Sequence, residues 1–355
     1  GIHQAAAPLG DLFNATKLAF VANTGTMVDG IATAAEAENA KLPLGLYSHV
    51  DQAAQWQTGV AGDRITTGVL GRMADVLRSL NTRPDVSMNI TLGGTNVMQT
   101  GTGAIPYTIR PNGRAPRLEG YGGDEAIDQL TTEAIDSQLA LELRNLLKRS
   151  IRATTRNVID TSAFVDQALV AGGGTNAPFG PSPLSQSLKA VATAIAARSQ
   201  LGQCRQTFFV RLGDWDHHIS LRTGLAQRLG VLAPALAEFQ AALDAMGVAD
   251  QVTTFSISDF GRTLSSNGQG SDHGWGGNAF VMGGAVNGGR VFGAYPTLAL
   301  GTSLDMGRGR LVPTTPQDRY FADLARWFGI SEGDLDMVLP GRRSFDMAPL
   351  GLLAT

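Results

Sequence analysis

The sequence predicts an α/β fold built on a mainly parallel sheet, and three observations lead there. Short strand-like apolar runs alternate with helical patterns along the chain. Hydrophobic residues make up 43% of the 355 positions, enough for a sizeable core. The chain carries 44 glycines, about 12% against a ~7% norm, which implies many loops with demanding backbone geometry. The length allows one large domain or two smaller ones at ~100–200 residues each. Without an internal repeat or an obvious linker, residues 1–355 read as a single domain.

The elements follow in order. Pro8 to Thr16 reads as a helix end, and residues 18–23 (LAFVAN) as a buried strand. Residues 48–57 read as a short helix with Ser48 as its N-cap. Residues 86–92 alternate as a strand does, and 110–124 are loop by their glycine and proline content. Two helices are expected over 128–150 and 152–170, the first ending in Lys148 and Arg149 where the macrodipole favours cations. An exposed connection over 171–183 leads to a helix over 184–201 and a strand over 206–212. Leu225, Leu229, Leu232, Leu236, Phe239, Leu243 and Met246 alternate four and three apart and so share one helix face. That face reads as packed on the sheet rather than as a coiled-coil seam, with Pro234 marking a kink or the true helix start. Residues 252–258 form the next strand, expected beside 18–23 and 206–212. Residues 279–282 and 290–292 bracket a glycine-rich loop as a hairpin or strand pair. A last helix is capped by Thr315, with Pro316 at its first position and Gly329 as its stop.

Composition excludes several classes. There are 28 basic and 31 acidic residues, a net charge of −3, and charged residues total 17% against a ~25% norm. This argues against disorder, a coiled-coil rod and a basic nucleic-acid binder. No run approaches the ~18 apolar residues of a membrane span. The single cysteine, Cys204, rules out an internal disulfide framework and a cysteine metal cluster. It reads as a buried, inert thiol. The chain starts at Gly1 with no charged n-region or apolar h-region after it, so it is expected to be a processed product or a fragment.

Four of the five histidines lie beside or near aspartates. In GDWDHH, residues 213–218, the Asp216-x-His218 spacing can put an oxygen and a nitrogen on the same side of an extended segment. The cluster follows a strand, and open parallel sheets bind ligands at the carboxyl ends of strands. An isolated pair of this kind also fits a plain turn with solvated histidines. The segment 258–278 again starts at a strand end and holds Asp259, Arg262, Asp272 and His273 among glycines and serines. Adjacent Asp272 and His273 can bind one metal together or split between two ions ~4 Å apart. Arg262 can hold a phosphate or sulfate oxygen pair. Two such clusters on successive strand ends favour a metal site. Ser48, at a predicted helix N-terminus where anions are stabilised, is a candidate nucleophile or simply a cap. Zinc or manganese fits the two histidines best, with magnesium or calcium still open. No P-loop, GxGxxG, GxSxG or HExxH pattern is present. Basic residues are not clustered with aromatics, so nucleic acid is not an expected partner.

These residues resemble a known family. GDWDHH is similar to the GGWDTH motif, and SDFGRT followed by SDHG to the SEFGRT…DHG motif, of the domain of unknown function 1501 family. Its members are bacterial, sulfatase-like proteins grouped with the alkaline phosphatase superfamily. The resemblance extends to residues 48–57, 283–301 and 308–329, nearly the whole chain. It implies an alkaline-phosphatase-like three-layer sandwich with helices on both faces of one sheet. It also implies a divalent-metal site that hydrolyses phosphate or sulfate esters. Carried over residue by residue, Asp216 and His218 match one ligand pair, and Asp272 and His273 the other. Ser48 falls where the superfamily places its nucleophile. Asp259 stands where the family has Glu, and His217 where it has Thr. The family's opening strand with its GG-x-D motif has no counterpart here, and no histidine follows His273. A missing N-terminal segment, or another chain, is therefore expected to pair with this one. Family members commonly carry an export signal, which implies a periplasmic or secreted protein.

Two function classes follow. One is a metal-dependent hydrolase in which Ser48 attacks the ester and Arg262 assists. The other is a non-catalytic secreted binding or assembly protein that keeps the fold around a degenerate metal site. The missing aspartate motif and the missing last histidine favour the second, and the retained DxH and DHG pairs favour the first.

Overall fold

The computed structural model describes residues 1–83, 86–115, 119–141 and 146–354. Helix α1 (Ala7–Asn14) leads into the central strand β1 (Leu18–Gly25). A short α2 (Ala34–Ala37) precedes α3 (His49–Thr58) and α4 (Val69–Leu77), followed by β2 (Asn89–Thr91) and β3 (Tyr107–Thr108). Helices α5 (Ala126–Ala140), α6 (Leu146–Ala171) and α7 (Pro183–Ala196) come next, then β4 (Thr207–Phe209) and α8 (Leu221–Ala245). Strands β5 (Thr253–Phe255), β6 (Arg262–Ser266), β7 (Ser271–His273), β8 (Gly277–Gly283), β9 (Val291–Phe292) and β10 (Thr315–Pro316) precede α9 (Gln317–Phe328) and α10 (Leu335–Val338).

The fold is α/β, but the main sheet is mixed rather than mainly parallel. Its order is β10-β1-β8-β5, with β9 also on β1. Strand β8 runs antiparallel to both β1 and β5, so it separates the two strands expected to be neighbours. The physical reason lies in the connection. No crossover helix follows β5; the chain turns through the β6–β7 hairpin and returns, which antiparallel strands permit and parallel ones do not. Residues 206–212 go elsewhere. There, β4 pairs in parallel with β2, which pairs in parallel with β3. Strands β8 and β9 do not pair with each other. Phe20 faces Phe280 on one edge of β1 and Val291 on the other.

Helices cover both faces of the main sheet, and alternation along the strands explains how. Ala19 and Val21 of β1, with Ala279 and Val281 of β8, pack against α3, α4, α9 and α10. Leu18 and Met282, with the partly buried Phe20 and Phe280, face α1, α7 and α8. The seam of α8 is buried as expected at Leu236, Phe239 and Leu243, whereas Leu225, Leu229 and Leu232 are half-buried. Pro234 does not break the helix. It lies on the exposed side with Gly230, so water can take the carbonyl its missing N–H leaves free.

Several boundaries differ from expectation. The helix begun at Ala126 ends at Ala140, and Lys148 and Arg149 belong to α6 instead. Residues 142–145 of the expected first helix lie outside the described residues. Pro316 is the N-cap of α9 rather than its first residue, and Gly329 closes that helix at φ 110°. Cys204 is exposed, not buried. No described helix is long and apolar enough to cross a membrane.

Because α8 carries its burden in its second half, Phe239→Ala should lower stability by ~3–5 kcal/mol in urea unfolding, and Leu229→Ala by clearly less.

Candidate metal centre

The β6–β7 hairpin organises the site. It pairs Arg262 directly with His273, and Asp259 and Phe260 lie just ahead of it. Neighbouring strand residues point to opposite faces. His273 and Asp272 therefore cannot both face the same ion from β7, and they divide the work. His273 turns inward, and its ring packs against Phe260 at a centroid distance of 4.4 Å and against His49 at 4.5 Å. Asp272 turns outward and accepts from His218 Nδ1 at 3.1 Å, while its other oxygen pairs with Arg308 at 2.5 Å.

The loop after β4 brings in Asp216 and His218. Spaced two apart, they meet, with His218 Nε2 3.0 Å from Asp216 Oδ1. The start of α3 brings in His49. Ser48 caps this helix, its Oγ accepting from Asp51 N–H at 3.4 Å. Gly59 ends it at φ 66°, where a Cβ would stand 2.8 Å from Val69 Cγ2.

Three imidazoles converge on one carboxylate. His49 Nε2 lies 3.1 Å from Asp216 Oδ2, and His273 Nε2 lies 3.2 Å from Asp216 Oδ1. His218 and His273 face each other with their Nε2 atoms 2.9 Å apart. Behind each ring stands an acceptor. His49 Nδ1 donates to Asp259 Oδ2 at 2.8 Å, His218 Nδ1 to Asp272 Oδ1 at 3.1 Å, and His273 Nδ1 to the Tyr47 carbonyl at 2.7 Å. A carbonyl can only accept, so His273 keeps its proton on Nδ1 and, when neutral, turns a lone pair inward. Outer acceptors that fix imidazole tautomers are the usual second layer of a metal site.

This donor set fits a cation. Two inward lone pairs 2.9 Å apart repel unless a proton or a cation lies between them. Ligands ~2.0–2.1 Å from a tetrahedral zinc sit ~3.3 Å apart, close to the spacing seen here. His49, Asp216 and His273 alone bring their ligand atoms within 4.8 Å of one another and can hold a metal ion.

The electrostatics agree. Burial works against the charge of Asp216, but hydrogen bonds from Arg262 and His49 outweigh it and hold the carboxyl at about 2. Asn267, His218 and Arg308 hold Asp272 at about 2. Desolvation opposes protonation of His49, yet its bonds to Asp259 and Asp216 raise its pKa.

The structure thus brings Asp216, His218 and His273 together, places Asp272 one layer out, and adds His49. Arg262 is fastened to Asp216 Oδ1 and to the carbonyl and hydroxyl of Ser271. His217 turns away, its ring lodged against Gly224 of α8, where a Cβ would stand 2.4 Å from His217 Cε1. Sequence reasoning passed over His49, although it stands in the same SHVD segment that singled out Ser48. It also passed over Asp259 as a histidine partner, and over Arg308 and Arg310.

Fold and site together define a mixed-sheet α/β protein with a histidine–carboxylate cluster able to hold a metal ion. The chain belongs to the DUF1501 family, proteins of unknown function, whose sequence profile matches residues 10–337. No curated protein and no solved structure matches it.

Two outcomes follow from this geometry. Asp259→Asn, which touches only the outer nitrogen of His49, should weaken zinc or manganese binding ~10–100-fold in a competition titration. The depressed carboxyls of Asp216 and Asp272 contribute stability above the unfolded value of ~3.9, and it is lost as pH falls toward about 2. The melting temperature of metal-free protein should therefore drop between about pH 4 and 2, and less so in Asp272→Asn.

Proposed function

We propose that this protein is a divalent-metal-dependent hydrolase of phosphate or sulfate esters, acting outside the cytoplasm on an alkaline-phosphatase-like scaffold. The observation that carries the reading is the convergence of three imidazole Nε2 atoms on Asp216, each ring held from behind by an acceptor. The helix-covered sheet and the likeness of its DxH and DHG motifs to the sulfatase-like pattern support it. Zinc or manganese suits a donor set of three nitrogens and one carboxylate.

In this reading His49, Asp216, His218 and His273 hold the ion, which when bound supplies Lewis-acid polarisation of an ester oxygen. Arg262 orients Asp216 and offsets its charge. Asp272 and Asp259 keep His218 and His49 in the tautomer that binds. Ser48 is the candidate nucleophile. It stands one residue before a ligand, at the start of α3, where the helix dipole favours a developing oxyanion.

One observation favours the second class, a non-catalytic binding protein with a degenerate site. Only one metal-ligating group of three or more residues is present among the described residues, where a two-metal hydrolase needs two.

Chromogenic phosphate and sulfate esters, assayed with zinc, manganese, magnesium or calcium added to metal-free protein, separate the two. The hydrolase reading expects metal-dependent turnover that falls to background in His273→Ala. It also expects Ser48→Ala to lose turnover while keeping metal affinity. Metal binding with no turnover under any of these conditions would establish the non-catalytic alternative.

A further inference from the structure

Three arginines border the centre, and they are not equivalent. Arg262 spends its donors on Asp216 and Ser271. Arg308 is neutralised by Asp272 at 2.5 Å. Arg310 has no carboxylate partner among the described residues. Its Nε donates to the His273 carbonyl at 3.2 Å, and its guanidinium lies 4.7 Å over the Tyr47 ring. Neither Nη atom donates to a described residue. A planar fork is thus held by its base and its face while its outer edge stays free, the form in which arginine binds a tetrahedral oxyanion bidentately.

Its position is tied to the metal centre. The two residues that anchor Arg310, Tyr47 and His273, are also the pair whose Nδ1–carbonyl bond aims His273 inward. The loop that bears it is built to stay put. Asp305 accepts from the backbone N–H groups of Gly301 at 2.9 Å and Gly309 at 2.7 Å. The Met306 N–H donates to the Arg310 carbonyl at 2.9 Å. Gly309 lies against Leu264, where a Cβ would come within 2.4 Å. Charge completes the case. The carboxylates of Asp216, Asp259, Asp272 and Asp305 stand against Arg262, Arg308 and Arg310, so a bound dication leaves the region positive by about one charge and suited to an anion.

We infer that Arg310, seated on Tyr47, is the oxyanion-binding residue of this centre, and that its ligand is the tetrahedral phosphate or sulfate group of an ester. The inference deepens the hydrolase reading by naming the residue that grips the substrate, but it can stand or fall separately.

The test is calorimetric titration of the full chain, loaded with zinc or manganese, with inorganic phosphate and, in a second arm, inorganic sulfate. Arg310→Gln should weaken oxyanion binding at least about tenfold while metal affinity stays within about twofold of wild type. Arg310→Lys, which keeps the charge but not the fork, should fall between them and serves if the glutamine variant does not fold. The arm with the tighter binding assigns the ester class. Unchanged oxyanion affinity in both variants overturns the inference, as does absence of oxyanion binding to metal-loaded wild type. Arg310-dependent oxyanion binding without ester turnover upholds the seat and refutes the hydrolase. Ester turnover with unchanged KM in Arg310→Gln does the reverse.

Discussion

The carboxylate of Asp216 is the point on which the rest of the site depends. Three imidazole Nε2 atoms and one guanidinium approach its two oxygens. Such crowding holds only if each ring is turned by its far nitrogen, and the far partners come from three different places. Asp259 precedes the hairpin, Asp272 lies within it, and Tyr47 precedes α3. The carboxylate therefore ties together segments far apart in sequence, and a change at any outer partner reaches the centre through an imidazole. This is why the aspartates that do not face the cluster matter as much to its shape as the one that does.

Backbone strain marks the same places. Among the described residues six non-glycine positions have positive φ, and Tyr47, Asp214, Ser220 and Arg308 are four of them. Each costs of order 1–3 kcal/mol and persists only where the surroundings over-determine it. For Tyr47 the surroundings are visible. Its N–H donates to the buried Gln52 at 2.6 Å, its carbonyl accepts from His273, and its ring carries Arg310. The left-handed turn aims the carbonyl at the histidine, and α3, capped at Ser48 and stopped at Gly59, supplies the rigid body from which it is aimed.

Local features were legible in the sequence, and pairings were not. Helix caps are set by residues within one turn, so Ser48 and Gly329 could be read directly. The seam of α8 was readable because its period is its own. The order of strands is set by contacts across the whole chain, and nothing near residues 206–212 announces that β4 will lie beside β2. The same division runs through the site. Asp216 and His218 are two apart and meet, as a local rule suggests. Asp272 and His273 are adjacent, and only their place in a strand shows that they must face opposite ways. His49 was hidden because its partners lie more than 160 residues further along the chain, and a cap serine beside it offered a nearer explanation. Arg308 and Arg310 sit in a segment whose glycines read as turn, and their value comes from Tyr47 and Asp272.

The division between scaffold and site extends to energetics. The two large apolar clusters on either face of the main sheet close without any residue that faces Asp216. The site is assembled from loops, the β6–β7 hairpin and the first residue of α3, joined by polar bonds that are partly open to solvent. A cation binding there stabilises the folded state by mass action, since the ligands are not gathered in the unfolded chain. That stabilisation falls on the loops first, because the core is already complete. Neither cluster contains any of the three residues that could hold such a cation, His49, Asp216 and His273.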